Sequence, residues 1–154
     1  MDFLLFLGSL DKEILELVYR ANYSVEENTP LCLLGKKFFG FLKREQRTIV
    51  ICTKNAIDIS GYSLPKIPED EDIDMAGIYI RRALRHEAVH VAQDCNNGEV
   101  MNPFSGEVPE IHLYKRDALE ASTSISGHRD KEYEAYILED KPNEVIAALK
   151  KYCF

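Results

Sequence analysis

Residues 86–90 read His-Glu-Ala-Val-His, inside the stretch RRALRHEAVHVAQDC at 81–95. On a helix, residues four apart stand one turn above another on the same face, so His86 and His90 can converge on a single metal ion. Glu87 is rotated about 100° from His86, which sets it beside such an ion rather than on it. A carboxylate there can take a proton from a metal-bound water. The competing reading is plain: histidines of a surface or core helix that bind nothing.

The phase of the neighbours favours the metal. Tyr79, Ala83, His86, Glu87 and His90 share one sector of the helical wheel, and Ile80, Leu84, Ala88, Val91 and Cys95 fill the adjoining sector as core. Arg81, Arg82 and Arg85 are expected roughly opposite the histidines, whereas a solvated face would mix these charges together. A catalytic zinc usually takes three protein ligands and keeps a fourth position for water. Gln93 stands where a longer zinc motif would place glycine, and no histidine follows at that motif's spacing. The remaining ligand must come from downstream, where His112, His128, Glu132 and Glu134 are available.

The elements that must position these residues are legible in outline. Ser9 or Asp11 is expected to cap a helix through DKEILELVYRANY, where Ile14, Leu15, Val18 and Ala21 recur at helical spacing. Asn28, Thr29 and Pro30 break it with turn chemistry. The β-rich runs FFGFL and TIVIC flank the polar KREQR and predict a hairpin. SGYSLPKIPEDEDID reads as an acidic, proline-bearing loop whose last acids suit a helix N-terminus. A long helix then runs from about Asp74 to Cys95. NNGEVMNPFSGEVPE is a second loop, followed by helices over RDALEAST, RDKEYEAYILED and NEVIAALKKYC, the last capped by Asn143. The order predicts an α+β fold.

Composition narrows the function classes. The 154 residues are 45% hydrophobic and 29% charged, which suits one globular domain over residues 1–154. A formal net charge of -7 repels phosphate at long range and argues against nucleic acid as a partner. No run approaches the ~20 apolar residues of a membrane span. Phe3–Leu7 lacks a positive leader and a small-residue cleavage pattern, so it reads as a strand or helix edge rather than a signal peptide. Cys32, Cys52, Cys95 and Cys153 form no C-x-x-C pair and are expected to be free buried thiols. Together these features predict a cytoplasmic protein.

HEAVH, followed some forty residues later by EYEAY, resembles the gluzincin group of zinc metallopeptidases. RRALRHEAVHVAQDC, with the upstream RTIVICTKNA, is also similar to small metallopeptidase-like proteins of cyanobacteria and their viruses. The likeness covers roughly residues 47–96 and 129–139. It implies a zincin-like fold with a small sheet packed on the long helix, and Zn2+ held by His86, His90 and Glu132, with Ala135 as the small residue three positions on. It implies hydrolysis of a protein or peptide substrate, with Glu87 as general base. Many gluzincins have an aspartate directly after the small residue to orient the first histidine; Tyr136 stands there in this chain. His112, Tyr114, His128 and Tyr136 are candidates to stabilise the oxyanion of peptide cleavage. The rival expectation is a zincin-fold protein that binds zinc and a partner without cleaving it.

Overall fold

The run Thr48–Ile51 is β-branched at every position, and it folds as the centre of the sheet with all four residues buried. In the computed structural model, which describes residues 1–61, 70–101 and 110–154 without the side chains of 70–74, the architecture is α+β. Among the described residues there are six α-helices and one three-stranded mixed sheet. In chain order they are α1 (Ser9–Arg20), β1 (Ser24–Glu27), β2 (Gly40–Lys43), β3 (Thr48–Ile51), α2 (Thr53–Ile59), α3 (Asp70–Cys95), α4 (Leu113–Ser126), α5 (Arg129–Leu138) and α6 (Pro142–Cys153).

The expected hairpin is present: β2 pairs antiparallel with β3, Gly40 opposite Ile51 and Lys43 opposite Thr48. Two elements were not expected. β1 pairs parallel with the other side of β3, giving the order β1-β3-β2, and α2 follows β3 directly. TIVIC therefore supplies the central strand, and β1 and β2 are the two edges.

α3 is the hub. It begins at Asp70, four residues ahead of the expected start, and packs against α1, α5, α6 and the sheet. Ile80, Leu84, Ala88, Val89, Val91 and Ala92 are all fully buried along it, so its lower half is covered on nearly every side. α1 closes one side with Ile14, Leu17 and Val18 against Val145 and Leu149 of α6, all in the same core. The cap of α1 is Gly8, whose amide donates to the Asp11 carboxylate at 3.0 Å, so Asp11 acts from the third helical position. α6 starts at Pro142, which suits a first-turn position because its missing amide would have no partner there; the cap is Lys141 rather than Asn143.

The cysteine expectation fails. Cys32–Cys52 and Cys95–Cys153 are disulfides, with Cα separations of 5.6 and 5.1 Å, and no described cysteine is free. Sequence separations of 20 and 58 conceal pairs that the fold brings side by side. The cytoplasmic reading loses the support it drew from free thiols. No described helix is long and apolar enough to cross a membrane. The expected loops at 62–69 and 102–109 lie outside the described residues.

Candidate metal centre

His86 and His90 project from one face of α3, as their spacing requires, and α5 crosses in front of them carrying Glu132. Ala135, fully buried one turn on from Glu132, leaves no bulk between the two helices. The three candidate ligand atoms form a tight triangle. His86 Nε2 lies 3.0 Å and His90 Nε2 3.1 Å from the same Glu132 oxygen, and the two ring nitrogens are 3.3 Å apart. A tetrahedral zinc with ligand bonds of about 2.0–2.1 Å separates its ligand atoms by about 3.3 Å, so the triangle is close to the size the ion needs. The group is buried and could hold a metal ion.

The far sides of the rings show which nitrogen is available. His86 Nδ1 lies 3.0 Å from a Glu139 oxygen, a carboxylate that can only accept, so Nδ1 carries the proton. His90 Nδ1 lies 2.7 Å from Gln93 Oε1. The orientation of that amide is fixed, because its NH2 donates to Lys131 O at 3.1 Å and to Glu134 Oε1 at 3.0 Å. Both Nε2 lone pairs therefore converge with a carboxylate oxygen. Three electron-rich atoms this close require a cation or a proton between them.

Electrostatics record the same pressure. Burial works against a charged His86, but hydrogen bonds to Glu132 and Glu139 and the charge of Glu87 outweigh it and raise the imidazole well above its ordinary value. Burial alone would raise Glu132, yet its bonds to both histidines hold its carboxyl far below the usual range. Glu87 is buried one position along from His86, and desolvation pushes its carboxyl up against the opposing pull of the histidines.

Glu139 was missed by sequence reasoning, and it supplies what Tyr136 does not. It stands seven residues after Glu132, two turns along α5 and on the same face, just past the helix end. Its second oxygen is 2.8 Å from Lys115 of α4, a buried cation that also donates to Asp140 at 2.7 Å and to Tyr136 O at 2.8 Å. Gln93 and Glu134 were missed in the same role for His90. Glu134, the other candidate ligand on this helix, is not in the triangle: it is buried, holding Gln93 and accepting the Met101 amide at 3.0 Å.

The expected oxyanion partners are scattered. Tyr136 packs edge-on to His86, ring centroids 4.3 Å apart, but its hydroxyl donates to Ala118 O at 3.1 Å and meets Ser122 Oγ at 2.6 Å. Tyr114 lines the cleft beside His86 and accepts from Arg82 at 3.3 Å. His112 is the exposed cap of α4. His128, the cap of α5, lines a different cleft with Gly98 and Glu99. Arg82 is not opposite the histidines: four residues before His86 it shares that face, lining the cleft and pairing with Asp140 at 2.8 Å. Arg81 and Arg85 instead tie α3 to the N-terminal segment, through Phe6 O at 3.0 Å and Asp11 at 2.7 Å.

A family model described as a domain of unknown function (DUF8637) matches residues 3–154. No curated protein and no solved structure matches the chain.

Proposed function

The chain belongs to this family of unknown function, and we propose from its site that it is a zinc-dependent peptidase on a zincin-like fold. The observation that carries the reading is the triangle of two imidazole nitrogens and one carboxylate oxygen with a buried glutamate at its side. When bound, zinc supplies Lewis-acid polarisation of a peptide carbonyl and makes a water acidic enough to ionise near neutrality.

The chain's own residues would do the rest. His86 and His90 hold the ion through Nε2 because Glu139 and Gln93 keep their protons on Nδ1. Glu87, whose carboxyl burial pushes toward neutrality, accepts the proton of the attacking water and returns it to the departing amine. β2 offers the substrate a strand to pair with. Cys52 N donates to Phe39 O, so by alternation the amides and carbonyls of Gly40 and Leu42 point away from β3, toward the open edge. Gly40 lets that edge approach the base: a Cβ there would stand 3.2 Å from Glu87 Cγ and 3.3 Å from Ala83 Cβ.

One observation favours the rival, a zinc-holding module that recognises a partner without cutting it. The Tyr136 proton, the nearest to the triangle among the expected oxyanion donors, is committed to Ala118 O. Turnover separates the two. Zinc-loaded parent should cleave an unfolded protein, and Glu87→Gln should keep the zinc and lose at least about a hundredfold in rate, the scale of a general base. Equal rates in the two proteins remove Glu87 from the chemistry, and no cleavage by either favours the module.

A further inference from the structure

Two hollows meet at the centre. One, of about 210 Å³, is lined by Phe39, Tyr79, Tyr114 and Tyr136. The other, of about 280 Å³, is lined by Phe41, Leu42, Ile125 and Ser126. They share Gly40, His86, Glu87 and Ser122. Their helical walls advance in step. Passing from the first hollow to the second, the lining moves from Tyr79 to His90 along α3 and from Tyr114 to Ser126 along α4, while the strip leading into β2 borders both, with Phe39 on the first and its neighbour Phe38 on the second. The hollows are therefore successive parts of one groove that runs with α3 and passes the metal centre at its midpoint.

We infer that this groove takes an internal stretch of an extended chain, about five residues long, with a bulky apolar side chain seated in the first hollow. The inference rests on the peptidase reading for its chemistry and on the groove for its length. From Tyr79 to His90, α3 rises ~16 Å at 1.5 Å per residue. An extended chain covers that distance in about five residues at ~3.3 Å each.

The first hollow is framed by aromatic rings, with Phe39 stacked on Tyr79 at 4.7 Å. Its buried cation is saturated: Lys115 already serves Glu139, Asp140 and Tyr136 O. Arg82 beside it is paired with Asp140 and Tyr114. Apart from the exposed Lys37, which also lines it, what the hollow offers a guest is ring surface. Because groove continues on both sides of Glu87, the bond presented to the base lies inside the guest chain, not at its end.

The test measures binding, so it does not depend on turnover. Zinc-loaded Glu87→Gln protein is titrated with end-blocked, fluorophore-tagged peptides of two, four and six residues, each carrying one Phe. The six-residue peptide should bind at least about tenfold tighter than the two-residue one, and replacing its Phe by Gly should remove about as much, the scale of burying one aromatic ring. Ala118→Trp, which fills the first hollow, should cancel the preference for Phe at unchanged zinc content. Ser126→Trp, in the second hollow, should weaken the six-residue peptide and spare the two-residue one. Equal affinity across the lengths overturns the groove, as does no binding by a protein that retains its zinc. Tight binding with no cleavage by the parent overturns proteolysis and leaves the groove standing.

Discussion

Glu139→Gln tests the support of the centre without touching a ligand. Glu139 uses one oxygen on His86 Nδ1 at 3.0 Å and the other on Lys115 at 2.8 Å, and all three side chains are buried. Both partners are donors. A glutamine brings one acceptor and one donor, so it can serve His86 or Lys115 but not both. One charge-assisted bond to a buried group is lost, worth about 1.5–3 kcal/mol of folding stability. The imidazole also loses the carboxylate that makes it a better ligand. Loss of such a partner weakens zinc by about 10–100-fold, or ~1.4–2.7 kcal/mol. A competition titration against a chelator of known affinity reads the second number, and thermal melting of the metal-free protein reads the first. If the variant melts lower but binds zinc as tightly as the parent, Glu139 is structural and the orienting argument is refuted.

The remaining predictions are quick to check. His86 is raised well above its ordinary 6.5, so a proton must leave before the ring can bind metal, and zinc affinity should climb by about tenfold per pH unit until His86 is neutral. In the metal-free protein the raised His86 contributes stability that is complete below 6.5 and lost as pH rises through its folded value. The depressed Glu132 contributes stability present above 4.5 and lost as pH falls below it. The joint contribution of these two groups should thus be largest between 4.5 and 6.5, and the raised Glu87 adds a further loss as pH climbs above 4.5; a metal-free melting temperature that still rises above 6.5 contradicts the signs. Thiol titration of the unfolded, unreduced protein should find no free cysteine, since all four are paired. Four thiols would dismiss both bridges.

What the sequence reveals follows how local each signal is. The pair His86 and His90 is legible because one helical turn lies between them. Glu87 follows from the same turn. Glu132 is reached only through a family resemblance, since nothing local joins residue 132 to residue 86. Glu139 had a usable sign: seven residues after Glu132, it recurs on the same helical face. Gln93 had one too, three residues after His90 on the same helix.

Arg82 was misplaced although the arithmetic of i and i−4 was available. β1 was hidden for a different reason. Its four residues, Ser-Val-Glu-Glu, carry little β-propensity, and its place depends on parallel pairing with a strand twenty-four residues later. α2 is short, and the fold shows its use: the Asn55 side chain holds the carbonyls of Cys32, Gly35 and Phe38 at 2.9, 3.2 and 2.9 Å, fixing the strip that leads into the groove. The disulfides escaped because pairing depends on distances that only the fold sets.

Elemental analysis of untagged, purified protein tests the centre most directly. The parent should carry about one zinc per chain. His86→Ala, His90→Ala and Glu132→Ala should each bring this close to zero, whereas Glu134→Ala, which reaches His90 through Gln93, should weaken zinc and not abolish it. A parent without metal after supplementation, or a His86→Ala/His90→Ala double variant with its zinc intact, would contradict the account.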